Sequence, residues 1–457
     1  MVGRRGLRLN YWQIALIGLG FMASSLVWAV YNAQVPLLLD ERFGLSRTLI
    51  GTIMTFDNFF GVILQPLIGV WSDQTRSRFG RRLPWIVLGI PVCAVLFALI
   101  PLQVVLWRFM GVIIAFNLLM ALWRSPVVAM MPDVTPSPLR SEANGLINLM
   151  GGVGAIIAFY YGGLLSDLRE DKFYAFLMAS VIMLLALIFL CAFVRDPDSI
   201  SYREERQLPI PDTLANRWAR SAREQIVHYH ESVASGGGGL LAGSEDELAE
   251  GVKSGGLTAF MVLPLQLKVS LGALLLAIFA WFMGNNAIET FFTLYATNTY
   301  GLSGGQATIM LAGFSLTFLL FAIPAGRIGH KFGRKNTILL GIIGFIAIFV
   351  LIIAQPTQQL LQVLLMVGGF FWALININSL PMVLEFASVT SIGTFTGYYY
   401  LFSFSASIVS PILYGYLQDI FQTDHLLFVF ALVCFVVALI SMKFVAHGEE
   451  KRVNLKE

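Results

Sequence analysis

The chain has 457 residues, of which 57% are hydrophobic and 12% charged, with a net charge of +3. Soluble domains average about 25% charged residues, so this chain lacks the polar surface to coat a soluble globule of its size, while its net charge says little about partners because the placement of Lys and Arg matters more than their sum. It is expected to be a multi-pass protein of the cell (inner or plasma) membrane, with the lipid bilayer as its solvent and no nucleic-acid partner. Cys93, Cys191 and Cys434 all lie in apolar runs, an odd and buried set that reads as small hydrophobes and not as disulfides or metal ligands.

The N-terminal arginines Arg4, Arg5 and Arg8 precede an apolar run reaching Leu39. That run is too long for a signal peptide and reads as a first membrane span. Spanning helices need roughly 20 mostly apolar residues. Twelve such stretches follow in order, at about 12–38, 48–71, 84–101, 105–131, 142–164, 173–194, 269–296, 305–326, 336–354, 360–383, 392–417 and 425–445. They are continuous and lack two-residue alternation, so the expected class is an all-α integral membrane protein and not a barrel. With both termini inside, the inner segments hold 24 of the 30 Lys and Arg residues, which sets the orientation as N-in and C-in.

Six spans fall on each side of a polar insert. The expected division is an N-terminal six-helix bundle (1–194), a cytoplasmic linker (195–268) and a C-terminal six-helix bundle (269–457). Pro209 and Pro211, a surface-helix pattern from Thr213 to Ala234, the run Gly236 to Gly239 and an acidic stretch from Ser244 to Glu250 make the insert a linker. The glycine run has no preceding strand and no following Gly-Lys-Ser/Thr, so it is no phosphate cradle.

The two halves repeat. A shift of 252 or 253 residues places Trp28 and Asn32 on Trp281 and Asn285, and Gly80, Arg81 and Arg82 on Gly333, Arg334 and Lys335. It also places Asp133, Gly145, Gly163 and Asp167 on Glu385, Gly397, Gly415 and Asp419, with four extra residues in the first hinge. Two parallel repeats around an axis along the membrane normal form a known plan for secondary transporters.

Ionisable groups inside spans are costly and are functional candidates by default. Asp57 lies nine residues into the second span, about 14 Å deep, on a stripe with Gly61 and Gln65. It is a candidate for proton coupling or, in the plainer reading, a hydrogen bond between helices; Asn58 is its neighbour. On the seventh span Trp281, Asn285 and Glu289 recur every four residues, repeating Trp28 and Asn32 of the first. An indole, an amide and a carboxylate on one face suit a polyhydroxylated ligand, with Glu289 a second candidate for proton coupling, whereas Asn285 alone is equally well read as helix-to-helix glue. Asn117 and Arg124 on the fourth span and Trp372 and Asn376 on the tenth complete the candidate substrate-binding set, with Gln65; Arg124 is also placed to snorkel. Of Tyr398, Tyr399 and Tyr400, at most one can face a ligand. His228, His230, His330, His425 and His447 show no metal-ligand spacing, so no metal and no cofactor are expected.

The candidate cytoplasmic gate is formed by the two hinges: Gly69, Asp73, Gly80, Arg81, Arg82, Asp133 and Arg140 in the first half, and Gly326, His330, Gly333, Arg334, Lys335 and Glu385 in the second. Asp73 is expected to accept from a helix N-terminus or pair with an arginine of the facing half. Arg78, Arg81 and Arg82 are expected to hold the loop inside and meet anionic headgroups. Asp133 is expected to latch onto Arg140, with Glu385 as its second-half counterpart.

Both hinges resemble the signature loop of the major facilitator superfamily, Gly-x-x-x-Asp-x-x-Gly-Arg-Arg/Lys, with His330 in place of the acid in the second copy. The stretch Gln65-Pro66 through Arg82-x-Pro84 is similar to the sucrose-proton symporter family and, more distantly, to the glycoside-pentoside-hexuronide (melibiose-type) cation symporters. Pro126, Ala129, Asp133, Thr135, Arg140, Ala143 and Asn144 match the former family as well. The resemblance implies a major facilitator fold and a secondary active transporter, expected to act as a monomer. Its expected work is to move a sugar or glycoside by alternating access, in symport with protons. Val128 stands where the sucrose family keeps an arginine, and Gly61 and Gln65 stand where the melibiose type keeps cation-binding carboxylates, so neither sucrose nor sodium carries over. The alternatives are a proton-coupled efflux carrier for an amphipathic compound and a transport-dead membrane sensor. No Ser/His/Asp order, paired carboxylates or metal cluster points to an enzyme.

Overall fold

The computed structural model describes residues 11–77, 79–135, 140–194, 264–386 and 392–446. Most of the expected linker, including its surface helix and glycine run, lies outside them, as do Arg78, His228, His230, His447 and the side chain of Arg140. Twelve helices are long and apolar enough to cross a membrane. They are α1 (Tyr11–Phe43), α2 (Arg47–Gln74), α3 (Leu83–Leu102), α4 (Leu106–Val134), α5 (Ala143–Ser166), α6 (Phe173–Phe193), α7 (Leu265–Tyr300), α8 (Gly304–Phe332), α9 (Arg334–Ile353), α10 (Gln358–Leu384), α11 (Thr394–Phe421) and α12 (Leu426–Lys443). No strand occurs among the described residues, as hydrocarbon requires of a chain whose backbone groups must be satisfied within each segment. The count and class match the sequence reading, and the span edges differ by a few residues.

Two helices depart from regular geometry. α2 breaks at Thr55 into Arg47–Met54 and Phe56–Gln74, where the Thr55 hydroxyl turns back to the Thr52 carbonyl at 2.8 Å and competes with the helical ladder. α5 widens into a π-turn over Ala158–Gly162, a local defect that often sits at functional positions.

Packing divides the chain into two compact units, Met1–Tyr31 with Phe59–Gly239, and Asn32–Asn58 with Leu240–Glu457. In the first, α3 packs on α4 and α6; in the second, α7 packs on α11 and α12, and α10 on α8 and α9. Each unit has an aromatic core, and one pair recurs at a shift of 252 residues: Phe97 with Phe176 (ring centroids 4.8 Å apart) and Phe349 with Phe428 (5.9 Å). Backbones approach closely where small residues permit it; a Cβ on Gly369 of α10 would collide with the Phe314 carbonyl oxygen of α8.

The inner hinges also repeat. Gly80 (φ +100°) and Gly333 (φ +93°) both sit in backbone conformations that favour glycine, and each aims the following arginine at a carboxylate on the helix two spans further on. In the first hinge Arg81 Nη2 meets Asp133 Oδ1 at 2.8 Å and Arg82 Nε meets Asp133 Oδ2 at 2.9 Å. Arg82 also pairs with Asp73 and donates to the Ser72 hydroxyl. In the second hinge Arg334 pairs with Glu385 and reaches the Pro381 carbonyl at 3.2 Å. In the first hinge the Ser77 hydroxyl donates to the Gly80 carbonyl at 2.7 Å.

Two expectations are corrected here. Asp73 pairs with an arginine of its own loop, because the Gly80 turn brings Arg82 back to the end of α2. Arg81 and Arg82 are 8% and 4% exposed, held by Asp133 and not displayed to headgroups. Asp133 pairs with these two arginines and Glu385 with Arg334; the side chain of Arg140, the expected partner of Asp133, lies outside the described residues.

On the outer side, within the second unit, the N-terminus of α2 is docked on the end of α11. Asp419 accepts from the backbone N–H groups of Arg47 (2.8 Å) and Thr48 (2.9 Å) and from the Thr48 hydroxyl (2.5 Å), satisfying donors that a helix start leaves open. A Cβ on Gly51 would collide with the Pro411 carbonyl oxygen, and one on Gly415 with that of Arg47. Arg47 is further tied to Asp40 at 2.7 Å.

Two outcomes are expected. Asp133→Ala leaves two nearly buried guanidinium groups without their shared carboxylate and should destabilise the purified protein by about 3 kcal/mol. Glu385→Ala, at a pair whose side chains are 24% and 28% exposed, should cost about 1 kcal/mol or less. Thermal melting of the two variants checks the order. For the outer dock, Asp419→Asn should speed hydrogen exchange of the Arg47 and Thr48 amides roughly tenfold, the equivalent of ~1.4 kcal/mol of lost protection; unchanged exchange would show that the cap contributes nothing.

Candidate functional site

In the first unit, Trp28 of α1 meets α4. Its ring lies edge-on to Tyr31 (5.5 Å) and Phe116 (5.9 Å), and the Arg124 guanidinium carbon stands 5.9 Å from its centroid, within cation–π range. Asn117, on the same α4 stripe two turns before Arg124, is 2% exposed and reaches the Tyr31 hydroxyl at 3.5 Å. The indole N–H of Trp28 and the amide oxygen of Asn117 are buried with no hydrogen-bond partner among the described residues. Buried polar atoms are almost always satisfied, so this pair amounts to one donor and one acceptor left over beside a half-buried aromatic ring and a cation. Gln65 of α2 is half-buried, and its backbone carbonyl accepts from the Ser125 hydroxyl of α4 at 3.1 Å.

In the second unit, Asn32 donates through Nδ2 to Glu289 Oε1 at 3.0 Å, joining the stripes of α1 and α7 that share a sequence pattern. The Glu289 side chain is exposed, while Asn285 one turn earlier is half-buried. Gln34, buried and close after Asn32 on α1, donates to the Thr308 hydroxyl of α8 at 2.9 Å. Sequence reasoning passed over Gln34, although an amide inside a span was the available signal. Asp57 is half-buried in the first turn of the lower α2 segment, where a carboxylate complements the helix dipole, and it accepts from the Asn58 side chain at 2.9 Å.

Two expected ligand contacts lie in the core instead. Trp281 is 0% exposed and Trp372 7%. Trp372 packs edge-on against Phe282 (5.6 Å) and Phe345 (6.2 Å), while the buried Trp281 indole N–H, like that of Trp28, has no hydrogen-bond partner among the described residues. Asn376 is half-buried and its carbonyl accepts from Ser379, whose hydroxyl also meets the Tyr399 hydroxyl at 3.2 Å. Asn378, absent from the expected set, is buried and donates to the carbonyls of Ala325 (3.1 Å) and Leu374 (2.9 Å); it braces α8 against α10 beside the hinge glycine Gly326. His330 is exposed at the end of α8, and Lys335 donates to the Val445 carbonyl at 2.6 Å. No group of three or more metal-ligating side chains occurs among the described residues.

Comparison with known proteins accords with this architecture. A solved structure of a bacterial homolog of the human lysosomal transporter Spinster, in an inward-facing and occupied conformation, superposes with a TM-score of 0.67 over 96% of this chain and 97% of that one, at 13% identity; this shows the fold. The isoprimeverose transporter of Lactiplantibacillus pentosus is 23% identical over 42% of this chain and 43% of its own length. The class E tetracycline resistance protein of Escherichia coli is 22% identical over 91% of this chain and 90% of its own. Several other curated relatives are matched over only 10% to 26% of their length. The family model of the Major Facilitator Superfamily matches residues 17–304 and again 274–457, so that nearly every span is covered, and the chain belongs to that superfamily of membrane transporters.

Proposed function

We propose that the protein is a proton-coupled symporter of the cell membrane for a small polar solute, a sugar or glycoside. The observation that carries this reading is the Asn32–Glu289 bond, a protonatable group inside a span tied to an amide on a different helix. A carboxylate at that depth is costly while charged, and taking up a proton removes the cost. The same proton turns an acceptor-only group into a donor, so the amide that served the carboxylate becomes free to turn toward a solute hydroxyl. Loading of proton and solute are then linked through one hydrogen bond. Asp57, placed at a helix start with Asn58 as partner, is assigned a supporting electrostatic role.

The solute contacts fall on Trp28, Asn117 and Arg124 in the first unit. Trp28 offers an aromatic ring for the apolar face of a sugar, while the unsatisfied indole N–H and amide oxygen suit hydroxyl groups. Gln65, half-buried in the same unit, completes the polar set. In the second unit, Trp281 and Trp372 act as packing residues. The match to an isoprimeverose transporter supports the sugar class.

A second reading, proton-coupled efflux of an amphipathic compound, is favoured by the match to a tetracycline resistance protein over nine-tenths of both chains. It exchanges a proton through the same carboxylate but moves the solute outward, so the direction of solute movement on a fixed proton gradient separates the two.

In proteoliposomes with an imposed proton gradient, Glu289→Gln should abolish uphill sugar accumulation while solute counterflow persists; accumulation by this variant would remove Glu289 from coupling. Asp57→Asn should retain accumulation. On the solute side, Trp28→Ala is expected to raise the sugar concentration for half-maximal uptake about tenfold, a loss of ~1.4 kcal/mol, with little change in melting temperature without ligand.

A further inference from the structure

We propose that the groove between the inner ends of α7 and α12 is a binding site for one anionic phospholipid of the cytoplasmic leaflet. The groove measures about 370 Å³ and is lined by Val269, Ala273 and Leu276 of α7 and by Val437, Ile440 and Phe444 at the end of α12. The two helices run in opposite directions, so Val269 and Phe444 form the mouth on the inner side and Leu276 and Val437 the deep end. At 1.5 Å per residue, the rise from Val269 to Leu276 makes the groove about 10 Å long. A narrow groove of this length with an apolar lining suits an acyl chain.

The segments flanking the mouth carry lysines and are held in place. Lys268 directly precedes Val269, and Lys443 directly precedes Phe444; neither is paired with a carboxylate among the described residues. A third lysine converges there, since Lys335 donates to the carbonyl of Val445, which follows Phe444. The Ala446 N–H donates to the Ser270 hydroxyl at 3.0 Å, so the chain leaving α12 is pinned across the start of α7 and the mouth keeps its shape. Val269, Ile440 and Phe444 are 50% to 62% exposed, open to the surrounding hydrocarbon. An apolar slot with three lysines in the segments around its inner end is complementary to a lipid with a net negative headgroup.

The test is native mass spectrometry of the full purified chain in detergent, titrated with phosphatidylglycerol or with phosphatidylcholine of the same acyl chains. The wild type should retain one phosphatidylglycerol at a concentration about tenfold below that needed for phosphatidylcholine. K268Q/K443Q should abolish the preference while leaving phosphatidylcholine retention unchanged. Ala273→Phe, which fills the slot without altering charge, should weaken retention of both lipids, and Val437→Trp gives the same reading if Ala273→Phe does not fold. Lys331→Gln, on the exposed end of α8, should change nothing. A preference that survives K268Q/K443Q, or retention unaffected by filling the slot, would overturn the site and leave only non-specific annular lipid.

Discussion

The cost of leaving a charge in hydrocarbon governs this molecule. Ionisable side chains inside the spans are given a partner or a stacking surface: Glu289 takes the amide of Asn32, Asp57 takes Asn58, Arg124 lies by Trp28, and Asp133 takes two arginines at once. Because burying a charge costs more than most single contacts return, such groups survive in a span only where the surrounding helices compensate them. That is why the few polar stripes, and not the extensive apolar surface, locate the chemistry.

The two ends of the helices are managed by different devices. At the inner face, a positive-φ glycine turns an arginine onto a carboxylate, and the device occurs once in each half with nearly the same spacing. The first copy is doubled, with Arg81 and Arg82 sharing Asp133 and Asp73 closing the ring; the second is a single, more open pair. At the outer face, a helix start in the second unit is capped by the Asp419 carboxylate and held close by glycines at the point of contact. An ion pair that is partly wet can be exchanged at little cost, whereas a capped helix end packed backbone to backbone releases only when several donors find other partners together.

Much of the site was legible in the polar pattern. The repeat of Trp28 and Asn32 in Trp281 and Asn285, and the presence of Asp57, Glu289, Asn117 and Arg124 in spans, could be read without coordinates because each breaks an apolar run. The pattern could not show which of two similar residues is the more buried. Trp28 and Trp281 occupy equivalent positions, yet one is half-buried beside a cation and the other is fully buried. Gln34 and Asn378 were passed over because an amide in a helix looks the same whether it braces a neighbour or meets a ligand.

By itself the sequence determined the class, the twelve spans, the orientation, the parallel repeat and the family, since these follow from run length, the distribution of Lys and Arg, and self-similarity, all of which are properties of order along the chain. Only the tertiary structure decided the partners: that Asp73 and Asp133 are taken by Arg81 and Arg82, that the second hinge joins Glu385 to Arg334, that Asn32 meets Glu289, and that Asp419 caps α2. A salt bridge or a cap requires atoms within about 3 Å, and which residues come that close depends on helix rotation and loop turns, to which hydrophobic spacing is blind.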